Sequence, residues 1–409
     1  MSRTWLVALL ACAVVALLAA CVRVNTHDQS PRAADAGSTG TLRIATYNTS
    51  LNSDEAGGLL ERLRGDDAGA RKVAAVLQQV RPDIVLLNEF DYVADGSAAD
   101  LFQQRWLERA QPGGGEALHY PYRYLAPVNT GVQSGLDLDN NGTIGGDGRD
   151  RGNDAWGYGL HPGQYGMLLL SRYPIDAATA RTFQLLKWEA MPDARRPRHP
   201  DGRPFHPDST WSQLRLSSKS HWDVQVRAPG GVIHVLAAHP TPPAFDGPEK
   251  RNVARNHDEI RFWTEYLSPG THEWLCDDAG RCGGLAPDAR FVILGDLNND
   301  PVDGAGDHTA IVELLEHPRV LRMATPKSEG AIEAADADGG ANAQHRGSAA
   351  HDTGSFGPRV GNLRLDYVLP SVGHAFVGNG VLWPRSDAAH ADIVDGTDHR
   401  LVWVDVRVD

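Results

Sequence analysis

Cysteine is scarce in this sequence, with 4 residues in a chain of 409. Cys12 and Cys21 lie in or directly after an apolar N-terminal stretch, which leaves Cys276 and Cys282. A zinc centre needs several soft ligands close together, and none stands near this pair. The short spacing between the two cysteines favours a small disulfide loop in an exported protein.

Positive charge is also in short supply. The chain has 39 Lys and Arg against 52 Asp and Glu, which gives a formal net charge of −13. This balance repels a polyanion at long range and provides no general basic surface for non-specific capture of nucleic acid. The basic run at 195–199 is local, and we interpret it as a solvated loop.

A long apolar run occurs at residues 5–20. Arg3 precedes this run, and Leu-Ala-Ala leads from it into Cys21, which is typical of a bacterial lipoprotein signal with a lipidated cysteine. An ordinary signal peptide or an uncleaved anchor helix is the alternative, since about 20 apolar residues can span a bilayer. We predict a signal peptide at 1–20, a flexible polar tether at 21–41, and an exported lipoprotein that faces the periplasm or the cell exterior.

Six short segments, most of them apolar, supply polar side chains that are suited to chemistry. Buried strands have this apolar character, and a polar residue where a strand ends must lie at a sheet edge or in a crevice. Carboxylates bind hard cations, amides orient ligands and imidazoles move protons, so the set suits chemistry on a phosphate ester. The residues are Asn48, Glu89, His239, Asp296, Asn298, Asp366, Asp398 and His399.

The predicted elements favour two packed β-sheets in a single domain over 42–409. Strands outnumber helices, and a hairpin turned at 229–231 is mixed with helical crossovers. The helices are predicted at 68–80, 248–267 and 309–315. Four stretches fit no regular element and are expected to form long loops, which are usually either functional or disordered: 128–164, 181–214, 268–289 and 319–362.

The ordered polar set resembles the endonuclease/exonuclease/phosphatase superfamily, which includes deoxyribonuclease I, apurinic endonucleases, sphingomyelinases and inositol phosphatases. Each motif alone is short, but their order from Asn48 to His399 matches that of the family. The resemblance implies a four-layer α/β sandwich of the deoxyribonuclease I type, with two mixed sheets packed face to face and helices outside. It also implies a metal-dependent hydrolase that acts on phosphoester bonds.

The resemblance also implies a set of metal ligands. Glu89 is similar to the principal metal-binding carboxylate of the family, and Asn48 is similar to its neighbouring polar ligand. Asp398 resembles an acidic residue that helps to hold the ion. Mg²⁺ is the implied catalytic ion, with Mn²⁺ or Ca²⁺ as alternatives.

The remaining residues of the set are implied to act on water and phosphate. Asp296 resembles the carboxylate that orients or activates the attacking water, and Asn298 resembles the amide that steadies the water or the phosphate. His239 is similar to a residue that stabilises charge or protonates the leaving group. His399 resembles a phosphate contact or base, and Asp366 is expected to orient an imidazole and fix its tautomer. Histidines outside the motifs are expected at the surface or behind the site: His161, His206, His221, His257 and His351.

Residues 137–144 match the opening half of a calcium-binding loop. Asp137, Asp139 and Asn141 stand where oxygen ligands are needed, and a glycine follows them. The closing Glu of such a loop is replaced by Gly148, although a nearby Asp could substitute. A structural Ca²⁺ site is one interpretation, and a metal-free turn rich in Asp, Asn and Gly is the other.

The substrate stays open at this stage. An extracellular nuclease suits export but not the acidic balance, a phospholipid or sugar phosphodiesterase suits a membrane tether through a lipid on Cys21, and a small-molecule phosphatase suits the long loops. A catalytically silent surface-binding module with the same fold is a further alternative, which the complete polar set argues against. We expect a monomer.

Overall fold

The computed structural model describes residues 40–270 and 272–407. The predicted signal peptide, Cys21 and nearly all of the predicted tether lie outside the described residues. Within the described ranges, no helix is both long enough and apolar enough to cross a membrane. The predicted disulfide between Cys276 and Cys282 is present.

The β-structure confirms two mixed sheets. Sheet 1 has the strand order β12-β13-β1-β2-β4-β3, and sheet 2 has the order β11-β8-β7-β6-β5. The pairs β1–β2 and β7–β8 are parallel, whereas the other neighbours in the two sheets are antiparallel. The strands are β1 (Thr41–Leu51), β2 (Ile84–Phe90), β3 (Tyr122–Tyr124), β4 (Met167–Ser171), β5 (Ile175–Thr182), β6 (His221–Ala228), β7 (Gly231–Ala238), β8 (Phe291–Asp296), β9 (Gly354–Ser355), β10 (Asn362–Leu363), β11 (Asp366–Pro370), β12 (Ala375–Val381) and β13 (Val402–Arg407).

The helices agree with the predictions in part. The helix predicted at 68–80 has those bounds, because the Asp67 side chain accepts from the backbone N–H of Ala70 at 2.7 Å and caps its start. The helix predicted from 248 begins three residues later, at Arg251. The helices are α1 (Gly58–Arg64), α2 (Ala68–Val80), α3 (Ser97–Phe102), α4 (Gly148–Asn153), α5 (Asp208–Trp211), α6 (Arg251–Leu267), α7 (Thr309–Glu316) and α8 (Glu329–Asp338).

Part of the loop prediction is wrong. Helix α8 lies inside the stretch 319–362, and its physical basis is an alanine-rich sequence with high helix propensity. The hydroxyl of Ser328 accepts from the backbone N–H of Ala331 at 3.3 Å and caps the start of the helix. Helices α4 and α5 and the end of β5 likewise fall in stretches predicted as loops.

Packing produces the expected four layers. Along β8, Val292 and Leu294 face sheet 1 and belong to the core between the sheets. The alternate residues Phe291 and Ile293 face outward and pack with the hydrophobic residues of α6, such as Trp263. Because successive side chains of a strand point to opposite faces, β8 is apolar on both faces and lies in the middle of the sandwich. Helix α2 covers the other face of sheet 1.

The buried side chain of Asn88 joins the two sheets where β2 and β8 end. Its Oδ1 accepts from the backbone N–H of Asp296 at 3.2 Å and from the hydroxyl of Thr46 at 3.3 Å. Its Nδ2 donates to the backbone carbonyl of Ala238 at 3.5 Å. These bonds link β1 and β2 of sheet 1 to β7 and β8 of sheet 2, and they fix the separation of the sheets at this edge.

Candidate functional site

Strand ends from both sheets meet at one edge of the sandwich. Asn48 lies opposite Asn88 in the β1–β2 ladder, so it stands beside Glu89. In sheet 2, Asp296 at the end of β8 is opposite Asp366 at the start of β11. His239 directly follows β7. The parallel and antiparallel registers therefore bring to one edge residues that are far apart in sequence.

The amide group of Asn48 lies between two carboxylates. Its Nδ2 donates to Oε1 of Glu89 at 3.1 Å and to Oδ2 of Asp296 at 3.0 Å. Asn52 donates to the other oxygen of Glu89 at 3.0 Å. The carboxylates belong to different sheets, so Asn48 holds them at a fixed separation.

His399 and Asp366 form a buried pair. The Nδ1 of His399 lies 2.8 Å from Oδ2 of Asp366, and the hydroxyl of Thr353 donates to the same oxygen at 2.7 Å. Burial alone would lower the pKa of His399, but the charges of Asp366 and Asp296 outweigh it and raise the pKa to about 10. The imidazole is therefore a cation at neutral pH, and its Nε2 faces Asp296 at 3.5 Å.

His239, unlike His399, is a neutral imidazole. Its Nε2 also lies 3.5 Å from Oδ2 of Asp296, and its side chain is almost fully buried. Burial lowers the pKa of His239 well below its usual value, and the positive charges of Lys219 and His399 lower it further. A neutral imidazole and an imidazolium thus flank one carboxylate.

The pKa of Asp296 is higher than that of an ordinary carboxyl group. Burial raises its pKa to about 7, against the opposing effect of the His399 cation. The backbone N–H of Asn298 donates to Oδ1 of Asp296 at 2.9 Å, whereas the Asn298 side chain donates to the carbonyl of Pro240 at 3.0 Å. Asn298 has φ of 54°, a left-handed conformation that Asn tolerates better than most residues.

The predicted cation ligands are Glu89, Asn48 and Asp398, of which Glu89 and Asp398 line the cavity. The Asn48 side-chain oxygen accepts from the backbone N–H of Ser50 at 3.3 Å. Within the described ranges Glu89 makes no ion pair, and burial raises its pKa, with the charge of Asp398 contributing. Oxygen donors of this kind are the ligands that Mg²⁺ prefers. The Asp398 side chain is 54% exposed and lies 3.9 Å from Nε2 of His399. Asp296, Asp366 and His399 also have ligand atoms within 4.8 Å of one another, and in this cluster Nδ1 of His399 is bonded to Oδ2 of Asp366.

The predicted calcium loop brings carboxylates together in a different combination. Asp137 and Asp139 have ligand oxygens within 4.8 Å of Asp154, which sequence reasoning did not include. The side chain of Asn141 instead accepts from the backbone N–H of Thr143 at 2.7 Å. Several of the carboxylate oxygens also accept backbone N–H groups, as in a metal-free turn.

A cavity of about 720 Å³ opens beside the strand ends. Glu89, His239, Asp296, Asn298, Asp398 and His399 line its floor, while Asn48 and Asp366 contact these residues from behind. Part of its wall comes from the predicted long loops, which contribute Leu138, Tyr158 and Trp188, and another part comes from the segment after β7, which contributes Phe245. These loops therefore shape access to the site.

The expectation for the histidines outside the motifs needs correction where it placed them at the surface. His206, His221 and His257 are buried, and His206 lines the cavity. His221 bonds through Nδ1 to Ser217 at 2.6 Å and through Nε2 to the carbonyl of Glu259 at 2.8 Å, so it is a satisfied core residue.

Sequence reasoning missed Lys219, which lines the same cavity and is only 6% exposed. The signal was present in Ser217-Ser218-Lys219-Ser220, a polar run directly before an apolar strand. Because β6 runs antiparallel to β7, the start of β6 lies at the edge where β7 ends.

Comparisons with known proteins give one family match. A family model described as the endonuclease/exonuclease/phosphatase family matches residues 45–399. A comparison with curated proteins finds no match.

Three solved structures illustrate the similarity at low identity. An endonuclease/exonuclease/phosphatase from Beutenbergia cavernae is 19% identical, with 90% of this chain and 72% of that chain covered and a TM-score of 0.46. Sphingomyelinase C from Streptomyces griseocarneus is 18% identical, with 90% and 99% covered and a TM-score of 0.42. TDP2 from C. elegans is 14% identical, with 90% and 75% covered and a TM-score of 0.39.

The family match extends over most of the chain, from before Asn48 to His399, and so spans every residue of the polar set. The chain therefore belongs to the endonuclease/exonuclease/phosphatase family, whose members are metal-dependent enzymes that hydrolyse phosphoester bonds.

Proposed function

We propose that this protein is an exported, Mg²⁺-dependent phosphodiesterase that cleaves its substrate by in-line attack of an activated water. The observation that carries the proposal is the environment of Asp296. This buried carboxylate has a neutral imidazole on one side, an imidazolium on the other, and the oxygen donors of Glu89 nearby. The arrangement provides a base, a charge stabiliser and a cation site within one cavity.

Asp296 is the group that orients and deprotonates the water. A general base works best when its pKa is close to the operating pH, and burial raises the pKa of Asp296 to about 7. The Asn298 N–H and the Asn48 amide hold its two oxygens, so the carboxylate has a fixed direction. Fixed geometry lowers the entropic part of the barrier.

His399 stabilises the negative charge that develops on the phosphoryl group. Asp366 holds Nδ1 and leaves the protonated Nε2 directed toward the cavity. His239 is neutral and donates or accepts one hydrogen bond without adding charge. A divalent ion held by Glu89, Asn48 and Asp398 would neutralise charge on the phosphate oxygens.

The cavity favours a small phosphodiester over duplex nucleic acid. Its volume of about 720 Å³ lies within the range of small-molecule sites, about 300–1,000 Å³. The net charge of −13 also disfavours a polyanion. A phosphodiester with a lipid or sugar headgroup is therefore the preferred substrate class, and a nuclease that takes a single nucleotide unit into the cavity is the second candidate.

Substitution of Asp296 or His399 should remove activity without unfolding the protein. We expect Asp296→Asn to lower kcat by about 10³-fold, because the base is lost, and His399→Gln to lower it by about 10²-fold or more. The measurement is turnover of bis-p-nitrophenyl phosphate with Mg²⁺, and circular dichroism checks the fold. Asp288→Asn, at an exposed position outside the cavity, is the matched control. Near-normal turnover in either site variant would refute the assigned roles.

Glu89→Gln should weaken metal activation. The substitution keeps the size of the side chain but removes the charge of a direct oxygen ligand, so the Mg²⁺ concentration for half-maximal activity should rise on the order of 100-fold. A Mg²⁺ titration of the rate measures this constant, and EDTA should abolish activity in the wild type. Glu61→Gln serves as the control, since the Glu61 side chain is 73% exposed. Activity that persists in EDTA is incompatible with the proposal.

We propose a weak structural Ca²⁺ site formed by Asp137, Asp139 and Asp154, with Asn141 as a further candidate ligand. Exported proteins bind Ca²⁺ in such sites with dissociation constants of about 10⁻⁴–10⁻³ M. Calorimetry of the Mg²⁺-loaded protein should therefore detect one Ca²⁺, and the double substitution Asp137→Asn and Asp154→Asn should remove it. A wild type that releases no heat on Ca²⁺ addition would establish the metal-free turn.

We also propose lipid attachment at Cys21, which lies outside the described residues. If the cysteine carries the lipid, Cys21→Ser should move the exported protein from the membrane fraction to the soluble fraction. Cell fractionation with immunoblotting measures the distribution, and mass spectrometry of the wild-type N-terminus tests for the acylated cysteine. A soluble wild type whose chain begins upstream of Cys21 would exclude this anchor.

A further inference from the structure

Lys219 is a buried cation at the catalytic cavity that none of the family motifs includes. We propose that its ammonium group binds a phosphate oxygen of the substrate and acts as a positive centre in addition to the metal ion. The inference deepens the proposed function and rests on it. It is drawn from the position of the side chain, its burial and its lack of a close partner.

The strand register brings Lys219 to the active edge. His221 pairs with Ala238 in the β6–β7 ladder, so Lys219, two residues earlier, lies beside the segment that follows Ala238 and contains His239. The β7–β8 register continues from this point to Asp296. Four neighbouring strands of sheet 2 thus present, in order, Asp366, Asp296, His239 and Lys219 at the same edge.

Buried hydrogen bonds fix the backbone around Lys219. Glu259 on α6 accepts from the backbone N–H of Ser218 at 2.6 Å, from the Ser218 hydroxyl at 2.9 Å and from the backbone N–H of Thr241 at 2.6 Å. The carbonyl of Lys219 accepts from the backbone N–H of Asn129 at 2.9 Å. Glu259 thereby ties the segment just before Lys219 to the segment just after His239.

The ammonium group has no partner of its own within the described part of the chain. Lys219 makes no ion pair within 4.0 Å there and no side-chain hydrogen bond, although it is only 6% exposed. Glu259 attracts the ammonium, but hydrogen bonds from Ser218 and Thr241 already occupy its oxygens. Nζ of Lys219 is not among the fully enclosed polar atoms that lack a partner, so this charge is open to the cavity and available to a ligand there.

A phosphate group supplies the missing partner. Lysine is a compact point charge with three donors and is a common phosphate ligand. Lys219 lines the same cavity as His399 and Glu89, so a phosphodiester in the cavity would meet it there. The competing explanation is that Lys219 only offsets the carboxylates of Glu89 and Asp296, which also attract it.

The two explanations differ in their effect on metal and phosphate binding. In Lys219→Met, loss of a phosphate contact should lower kcat/KM for bis-p-nitrophenyl phosphate by about 100-fold at saturating Mg²⁺. It should also raise the inhibition constant of inorganic phosphate by about tenfold. The Mg²⁺ dissociation constant, measured by calorimetry, should stay the same or decrease because a nearby positive charge is removed. Lys219→Arg should retain most of the phosphate affinity.

The controls separate this inference from the proposed function. Lys72→Met, on α2 and outside the cavity, should match the wild type. Should Lys219→Met fail to fold in a thermal melt, Lys219→Gln replaces it with a polar side chain of similar length. An active wild type whose Lys219→Met or Lys219→Gln variant keeps normal kcat/KM and phosphate inhibition would overturn the inference but leave the function intact. An inactive wild type would instead count against the proposed function.

Discussion

The site depends on one amide group that keeps two carboxylates apart. Glu89 comes from sheet 1 and Asp296 from sheet 2, and without a donor between them the packing of the sheets would bring like charges together in a buried place. The Nδ2 of Asn48 donates to both, at 3.1 and 3.0 Å. The Asn88 side chain performs a similar task for the backbone, because it ties the end of β8 to sheet 1. The positions of the catalytic side chains therefore depend on contacts between the two sheets. A single strand would not hold the polar residue at its end in place.

Around this point the charges alternate. From β11 across sheet 2, the strand ends carry the Asp366 carboxylate, the Asp296 carboxylate, the neutral imidazole of His239 and the ammonium of Lys219. The His399 cation lies between the two aspartates. This order explains why two histidines at the same distance from Asp296 have pKa values shifted in opposite directions. His399 has two carboxylates as neighbours, whereas His239 has Lys219 and His399. Burial lowers the pKa of both imidazoles, and only His399 has the neighbouring carboxylates that reverse this effect.

Much of this site could be predicted because its residues are tied to strand ends, and strand ends are visible as breaks in apolar runs. The structure brings Asn48, Glu89, His239, Asp296, Asp366 and His399 to one edge, as the motif order suggested. Sequence patterns do not reveal which hydrogen-bond partner each side chain contacts. Asn298 contacts Asp296 through its backbone and not through its amide, and Asp154 approaches the calcium loop from a helix end. Lys219 was overlooked for a topological reason, since in an antiparallel pair the residue before one strand adjoins the residue after its neighbour.

The least predictable parts of the chain, its long loops, lie next to the most predictable part. They contribute residues such as Leu138, Tyr158 and Trp188 to the cavity wall, and charges interact more strongly where less water lies between them. Burial is the main cause that raises the pKa of Asp296 to about 7 and lowers the pKa of Lys219. Exposure to water would lower the pKa of Asp296 toward that of an ordinary carboxyl group and would make it a poorer base. The strand ends thus supply the catalytic groups and most of the neighbouring charges that set their protonation. The loops supply part of the cavity wall, so sequence changes in the loops would alter access to the site without changing a single motif residue.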